Sequence, residues 1–295
     1  MSGPKLVAIM GPTASGKSAI AESLAAQLDA QLISADAFQV YRGLDIGTNK
    51  PDSRSRYALI DIKYPADSYG AGEFVLDAVR VLENCWETRQ NVVLVGGTGF
   101  YIRALLEGFD ALYPPPPDGL REELATLSLE EALSRLDQVA PGTNVDRLNP
   151  IRVKRALERA ESKSKPLKFE IPPFQVTKFG LDVPTSALDH NIKTRLIEML
   201  NNGWIEEVRA LSTQGFDPSC PAFRAIGYSE IYEFLESGSD CFEALSDSIF
   251  TSTRRYAKRQ RAWLRKEPKL LWLDISEIGL PISKSIETIL NQISK

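Results

Sequence analysis

The sequence has few cysteines and histidines, and this scarcity argues against several kinds of protein. The three cysteines, Cys85, Cys220 and Cys241, are far apart and none belongs to a CxxC pair. This spacing argues against a disulfide framework and against a zinc site. With His190 as the single histidine, histidine-based catalysis or metal binding is not expected either. The composition therefore favours a cytosolic protein whose chemistry rests on other side chains.

Long apolar runs are missing as well. No run approaches the roughly 20 residues needed to cross a bilayer. The first apolar segment, residues 6–10, begins too close to residue 1 for a signal peptide to precede it. Hydrophobic residues make up 43% and charged residues 25% of the 295 positions, which is typical of globular proteins. We therefore expect a cytoplasmic protein that has no membrane partner and acts as a monomer.

One stretch carries a specific chemical signal. Residues 11–18 read GPTASGKS, which fits the phosphate-loop pattern G-x4-G-K-[ST]. An apolar strand-like segment precedes it and a helical pattern follows, so backbone N–H groups and a helix N-terminus can surround a phosphate. Lys17 would supply a positive charge and the Ser18 hydroxyl would bind Mg²⁺. The residues expected to bind the phosphate groups are Gly11, Pro12, Thr13, Ala14, Ser15, Gly16, Lys17 and Ser18.

The order of elements predicts an α/β protein with a parallel sheet flanked by helices, because strand and helix patterns alternate. Strands are expected at residues 6–10, 31–34, 92–95, 174–181 and 270–273. Helices are expected at 17–28, 72–89, 100–107, 120–127, 129–139, 151–160, 187–201, 205–212, 228–236, 241–248 and 249–265. We divide the chain into a P-loop core (1–112), an all-helical insertion domain (113–172) and a second core part (173–295) with a basic C-terminal helix.

Basic residues are concentrated in two segments, although the net charge is −4. Residues 152–168 contain seven basic and two acidic side chains, and residues 254–269 contain eight and one. On a helix, Arg254, Lys258 and Arg261 fall on one face. Such a face beside aromatic residues can hold a phosphate backbone, so we expect RNA contacts there. A solvated helix surface is the alternative.

The acidic residue of the site stands in an unusual place. Nucleotide hydrolases and kinases usually hold Mg²⁺ with an Asp at the tip of a second apolar strand, whereas here the strand at 92–95 is followed by GGTG. Asp36, after the strand at 31–34, is the available carboxylate, and Thr98 is the available hydroxyl. We interpret this set as a transferase site with a diphosphate leaving group, in which Asp36 takes a proton from the nucleophile. A turn cap or a metal ligand is the alternative role of Asp36.

Several motifs together resemble the tRNA dimethylallyltransferase family. Besides GPTASGKS they are SADAFQVYRGLDIGTNKP at 34–51, VGGTGFY at 95–101, NPIRVKRALE at 149–158, AIGY at 225–228 and TRRYAKRQRAW at 253–263. The resemblance implies a P-loop NTPase-like core with a helical insertion. It also implies transfer of a dimethylallyl group from dimethylallyl diphosphate to N6 of the adenosine adjacent to the anticodon, in the anticodon stem-loop of tRNA.

The resemblance also implies roles for individual residues. Asp36 would be the general base, Thr98 would assist at the reacting centre, and Lys17 would act on the diphosphate with the rest of its loop. Mg²⁺ would be the cofactor, held by Ser18. The tRNA would contact Asp36, Ala37, Phe38, Gln39, Thr98, Arg121, Ile151, Arg152, Val153, Lys154, Arg155, Arg224, Gly227, Tyr228, Arg254, Lys258, Arg259 and Gln260.

Two positions depart from the family pattern. Family members commonly have a histidine before the motif LID at 59–61, where this chain has Tyr57. Thr185 stands where the family has an arginine. If that arginine holds the diphosphate, Arg195 or Arg224 would have to replace it here.

Three alternative functions stay open. A dimethylallyltransferase acting on free AMP, ADP or ATP would need neither the insertion nor the basic helix. A small-molecule kinase would bind and turn over ATP, and a non-catalytic RNA-binding protein would use the phosphate loop only as an anion site. Bases of single-stranded RNA stack on aromatic side chains. The candidates for such stacking, each with burial in the core as the alternative, are Tyr41, Phe100, Tyr101 and Tyr228.

Overall fold

A parallel sheet lies at the centre of the computed structural model, which describes residues 3–108, 113–114, 116–117, 119–166, 168–275 and 282–294. Its strand order is β3-β2-β4-β1-β5-β6. The strands are β1 (Lys5–Met10), β2 (Gln31–Ser34), β3 (Tyr57–Ala58), β4 (Val92–Gly96), β5 (Gln175–Asp182) and β6 (Leu270–Asp274). The predicted α/β class with a parallel sheet flanked by helices is confirmed.

Helices cover both faces of the sheet, which is why the central strands are apolar along their whole length. The helices are α1 (Lys17–Leu28), α2 (Ala71–Glu87), α3 (Gly99–Glu107), α4 (Leu120–Thr126), α5 (Leu129–Val139), α6 (Pro150–Glu161), α7 (Thr185–Asn201), α8 (Trp204–Thr213), α9 (Tyr228–Ser237), α10 (Phe242–Leu264) and α11 (Ile282–Ile293). One core, which includes Leu6 and Phe74, packs α2 and α3 on the sheet. The other, which includes Ile9 and Leu24, packs α1, α7 and α11.

Helices α4, α5 and α6 pack around a separate apolar cluster that includes Leu124, Leu136 and Leu157. Local sequence defines their starts. Ser128 forms a capping box before α5, and Asn149 caps α6 ahead of a proline in its first turn. The expected boundary at 112/113 adjoins residues 109–112, which lie outside the described residues.

A further apolar cluster joins α7 to the helices that follow it. The side chains of Trp204, Phe223 and Tyr228 meet there with Tyr41 and Leu44, which lie in the loop after β2. The cluster therefore attaches the loop at 38–50 to the second half of the chain. Among the described residues, no helix is long and apolar enough to span a membrane.

The sequence-based assignment was wrong at one helix and incomplete at two elements. The two helices expected at 241–248 and 249–265 are one continuous helix, α10, because its apolar positions Leu245 and Ile249 lie four residues apart on the same buried face. The two-residue strand β3 and the helix α11 were not predicted. Helix α11 carries a regular apolar pattern at Ile286, Ile289 and Ile293.

Candidate active site

The phosphate loop connects the end of β1 to the start of α1. Gly16, the N-cap of α1, has φ 83°, and Ala14 has φ 62°. Left-handed backbone at these two positions turns the chain tightly enough to begin a helix directly after the strand. Gly11 packs closely against Ser15, since a Cβ at Gly11 would lie 2.5 Å from the Ser15 Oγ. The loop therefore depends on small residues, as its sequence predicts.

Two cations meet at this loop. The Lys17 ammonium lies 3.4 Å from the Pro12 carbonyl oxygen, to which it donates. Arg195, on α7, donates a hydrogen bond from Nη2 to the Thr13 hydroxyl. Burial lowers the pKa of Lys17 to about 8, against a raising effect of Asp36 and together with a smaller lowering effect of Arg195. Burial also lowers the pKa of Arg195. Two desolvated cations make this a site that favours an anion.

Asp36 follows β2 and lies in the same cavity as Lys17 and Ser18. Its Oδ1 accepts hydrogen bonds from the backbone N–H of Phe38 at 2.9 Å and of Gln39 at 3.3 Å. The carboxylate is therefore held at the turn after the strand. Asp36 caps this turn, which is one of its alternative roles, and also lines the phosphate-binding cavity. Its role as the base stays a prediction.

Thr98 is the N-cap residue of α3, directly after β4. Its Oγ1 is buried and has no partner with hydrogen-bond geometry in the described part of the chain. Tyr256 lies beside it, close enough for Thr98 to oppose the rise in the Tyr256 pKa. Burial, and then the charge of Asp36, raise the pKa of Tyr256 to about 12. The Tyr256 hydroxyl is therefore protonated beside Thr98 and near Asp36.

Oxygen ligands for Mg²⁺ are present in this cavity. Within the residues that the structure describes, no group of three or more His, Cys, Asp or Glu side chains is placed to hold a metal ion. The Ser18 hydroxyl and the Asp36 carboxylate nevertheless line one cavity. Mg²⁺ usually keeps several waters and binds one or two protein oxygens together with substrate phosphates, so this small donor set fits the ion.

Gln39 connects the turn at Asp36 to a second wall of the cavity. Its Oε1 accepts a hydrogen bond from the Ser34 hydroxyl at 2.8 Å. Its Nε2 donates to the carbonyl oxygens of Thr48 and Asn49, each at 3.2 Å. Gly47, Thr48 and Asn49 line the cavity, and sequence reasoning did not assign them to the site.

Three arginines expected to contact tRNA come together between the insertion and the core. Arg121 donates to both carboxylate oxygens of Glu158, at 3.1 and 3.2 Å, and Arg155 donates to the same carboxylate at 2.5 Å. Burial lowers the pKa of Arg155, and the charges of Arg121 and Arg224 lower it further. The group carries three positive charges and one negative charge, which leaves it attractive to phosphate.

The basic face of α10 forms one side of a groove whose other side is the start of α7. The groove has a volume of about 520 Å³ and is lined by Arg254, Lys258 and Arg261 among other residues. Arg254 pairs with Asp189 at 2.7 Å. Arg261 donates to the Thr185 hydroxyl, so a cation from α10 lies at the position where the family has an arginine.

The structure places several expected tRNA contacts inside the protein, which corrects those assignments. Val153 is 0% exposed in the core of the insertion, and Tyr228 is 0% exposed in the core around Trp204. Gly227 packs on the Trp204 ring, since a Cβ at Gly227 would lie 2.2 Å from it. These three residues lie in the interior beneath the surface and do not form part of the surface that tRNA could contact. By contrast, Ile151 is 73% exposed.

The aromatic candidates for base stacking divide in the same way. Tyr41, Tyr101 and Tyr228 are buried, as the core alternative states, whereas Phe100 is 51% exposed. The first departure from the family pattern, Tyr57, makes a local contact. The Tyr57 hydroxyl donates to Glu22 on α1 at 3.0 Å, and Tyr57 lines the cavity beside Ser18.

Comparisons with known proteins point to one family. A sequence profile described as IPP transferase matches residues 39–267, and one described as isopentenyl transferase matches residues 4–58. The chain is 37% identical over 292 residues to a protein named tRNA dimethylallyltransferase 2 of Geotalea uraniireducens (strain Rf4), covering 92% of this chain and 93% of that protein. A tRNA dimethylallyltransferase of Geobacter sulfurreducens is also 37% identical, with 92% of each chain covered.

Solved structures agree with the sequence matches. The structure is similar to the full-length tRNA isopentenylpyrophosphate transferase of Bacillus halodurans, with a TM-score of 0.73, 32% identity, and coverage of 98% of this chain and 95% of that one. A eukaryotic dimethylallyltransferase acting on tRNA gives a TM-score of 0.79 at 22% identity, covering 99% of this chain and 80% of that one. This second likeness bears on the fold alone.

Proposed function

The chain belongs to the IPP transferase family, and from that premise we propose that it prenylates tRNA. The donor is dimethylallyl diphosphate and the acceptor is the exocyclic N6 amine of an adenosine adjacent to the anticodon. One observation carries the proposal: Asp36 shares a cavity with Lys17 and Ser18 of the phosphate loop. The proposed base and the proposed diphosphate-binding loop therefore face the same cavity.

The donor binds with its diphosphate in the loop at 11–18. Lys17 and Arg195 supply positive charge there, and burial has lowered the pKa of both, so an anion that joins them restores the charge balance. As the allylic C–O bond breaks, negative charge accumulates on the departing diphosphate. Fixed cations in an enclosed site stabilise that charge without having to reorganise. Arg195 thus takes the role expected of the arginine that Thr185 replaces.

Mg²⁺ is the cofactor of this proposal. Ser18 would hold the ion together with oxygens of the diphosphate, as expected for a hard cation that prefers oxygen ligands. When bound, Mg²⁺ would supply further positive charge against the diphosphate. With Ser18 as the protein ligand, the Asp36 carboxylate is not needed to hold the ion and stays available for proton transfer.

Asp36 removes the proton that the nucleophile must lose. The lone pair of an aryl amine is delocalised into the ring, so the amine is weakly nucleophilic. As the N6–C bond forms and the C–O bond breaks, the N6 proton passes to Asp36 and diphosphate leaves. The two backbone hydrogen bonds to Oδ1 of Asp36 orient the carboxylate. The Thr98 hydroxyl, which is buried and has no hydrogen-bond partner among the described residues, would hydrogen-bond the N6 amine.

The tRNA must deliver its adenine out of the anticodon stack, and this flipping costs a few kcal/mol. Contacts to the phosphate backbone offset that cost. Arg121 and Arg155 of the insertion are close enough to Arg224 of the core to interact electrostatically, and the basic face of α10 lies beside α7. We assign both surfaces to RNA binding, and we propose that the protein works as a monomer in the cytoplasm.

The role of Asp36 is tested by Asp36→Asn, with Asp240→Asn at an exposed, distant carboxylate as the control. Transfer of labelled dimethylallyl groups to unmodified tRNA and binding of the same tRNA are measured for both variants. We expect Asp36→Asn to abolish transfer while tRNA affinity changes by about twofold or less, because the amide keeps the shape but cannot take a proton. Loss of transfer and binding together would make Asp36 a binding residue instead of the base.

A further inference from the structure

One half-buried arrangement lies outside the machinery described above. Three consecutive backbone N–H groups converge on the carboxylate of Glu207, on α8. Asp45 and Ile46 each donate to Oε2 at 2.7 Å, and Gly47 donates to Oε1 at 3.3 Å. Tyr228 adds a fourth hydrogen bond from its hydroxyl to Oε1 at 2.7 Å. Hydrogen bonds to an ionised acceptor are about twice as strong as those between neutral groups.

The residues around Glu207 are closely packed. Tyr228 is 0% exposed and Trp204 is 2% exposed. Burial, followed by the charge of Glu207, raises the pKa of Tyr228 well above its ordinary value, so the phenol stays protonated and remains a donor. Gly47 lies flat against Trp204, because a Cβ at Gly47 would lie 2.1 Å from the indole Nε1. The loop at 45–47 is therefore fixed by packing on one side and by the carboxylate on the other.

This loop leads directly into the wall of the active-site cavity. Thr48 and Asn49 follow Gly47, and all three line the cavity that contains Asp36. The carbonyl oxygens of Thr48 and Asn49 accept hydrogen bonds from Gln39. The backbone N–H of Gln39 in turn donates to the Asp36 carboxylate. An uninterrupted series of hydrogen bonds and peptide units therefore joins Glu207 to the proposed base.

We propose that Glu207 is a positioning residue that holds the loop at 45–49 in place as the acceptor-side wall of the active site. The inference rests on the proposed function for the identity of the acceptor. The loop at 45–49 lines the same cavity as the phosphate loop, but its hydrogen bonds run through Gln39 to the turn that carries Asp36. The proposal therefore assigns its effect to the acceptor, whose proton Asp36 would take. Small displacements of positioning groups can cost catalysis about 100-fold.

The variant that tests this inference is Glu207→Gln, whose amide has nearly the same shape but no charge. Glu206→Gln is the matched control, since the neighbouring Glu206 has a side chain that is 66% exposed and pairs with Arg209 at 3.8 Å. Tyr228→Phe is the second variant, which removes one of the four hydrogen bonds and keeps the ring. The measurements are kcat and KM for each substrate, thermal stability, and hydrogen exchange of the amides at 45–47.

We expect Glu207→Gln to lower kcat/KM for tRNA by about 10- to 100-fold, with KM for dimethylallyl diphosphate within about twofold of the wild-type value. Hydrogen exchange of the amides at 45–47 should become faster in Glu207→Gln. Tyr228→Phe should have kcat/KM and exchange rates between those of Glu207→Gln and the wild type, and Glu206→Gln should match the wild type in both. Reduced thermal stability with unchanged kinetics for both substrates would overturn the inference, as would equal losses for both substrates. A wild-type protein without transfer activity would overturn the proposed function alone, because the exchange measurement needs no substrate.

Discussion

Gln260 accepts a hydrogen bond from the backbone N–H of Thr13 at 2.8 Å and so fastens α10 to the phosphate loop. The Nε2 of the same side chain donates to the carbonyl oxygen of Gly97 at 2.9 Å. A Cβ at Gly97 would lie 2.2 Å from that nitrogen, so only glycine allows this approach. One amide thus sets the spacing of the two glycine-rich turns that face the cavity.

Replacing this amide should loosen the donor site. We expect Gln260→Ala to raise KM for dimethylallyl diphosphate about tenfold, since it leaves a loop N–H and a carbonyl without their partner. Gln175→Ala, at an exposed glutamine on β5, is the control and should match the wild type. An unchanged KM in Gln260→Ala, with lower thermal stability alone, would show that the amide only supports the fold.

Substitutions of Arg195 and Arg224 should change KM for different substrates. Arg195 contacts Thr13 in the phosphate loop, whereas Arg224 is close enough to Arg155 of the insertion to lower its pKa. We expect Arg195→Met to raise KM for dimethylallyl diphosphate about 10- to 100-fold and to leave KM for tRNA nearly unchanged. Arg224→Met should show the reverse pattern in the same steady-state assay. If both variants raised KM for the same substrate, the assignment of Arg195 to the donor and Arg224 to tRNA would be contradicted.

The low pKa of Lys17 predicts that the enzyme captures dimethylallyl diphosphate less efficiently at alkaline pH. Burial lowers this pKa from 10.5 to about 8, so the free enzyme loses the charge as the pH rises through that value. We expect kcat/KM for dimethylallyl diphosphate to fall about tenfold per pH unit above it. At saturating donor, kcat should stay level over the same range, because the bound diphosphate keeps Lys17 protonated. A flat kcat/KM profile up to pH 9 would contradict this role of Lys17.

A buried ion network should govern stability away from the active site. The Lys178 ammonium lies 2.7 Å from carboxylate oxygens of both Glu107 and Glu267, and the Glu267 side chain is fully buried. Arg103 also pairs with Glu267 at 2.7 Å. Lys178→Met leaves a buried charge with one partner fewer, so we expect the free energy of unfolding to fall by about 3 kcal/mol in urea titrations.

The control for this prediction is Arg147→Met, which breaks a pair with Asp137 in which both side chains are 49% exposed. Exposed pairs add little to stability, so its unfolding curve should superimpose on that of the wild type. Equal stability of Lys178→Met and the wild type would mean that the buried network makes no net contribution.

Local sequence was sufficient to predict the phosphate loop and most elements around it. The expected bounds of β2, α1 and α5 agree with the structure residue for residue, because a strand-loop-helix motif and the capping box at Ser128 define them locally. Other elements depend on tertiary contacts. Strand β3 has two residues, too few for periodicity to show, and α10 continues through the polar stretch at 246–248 because its apolar face packs on other helices.

The residues of the candidate site also divide into those that local sequence marks and those that only tertiary contacts reveal. Lys17, Ser18 and Asp36 were identified because motifs and strand ends mark them. Glu207 was not identified, since a carboxylate at the start of an amphipathic helix carries no signal of the distant loop that it binds. Tyr228 was expected to contact tRNA on the strength of its motif, with burial in the core as the alternative, and the packing of Trp204 and Phe223 around it shows that the alternative is correct.

The most direct test of the account is transfer of labelled dimethylallyl groups from the diphosphate, with unmodified tRNA and AMP offered side by side in the absence of ATP. We predict label in tRNA alone, on the N6 of the adenosine adjacent to the anticodon. Label chiefly in AMP would contradict the tRNA assignment and make the basic surfaces of α6 and α10 solvated faces. Label in neither acceptor would contradict the transferase itself.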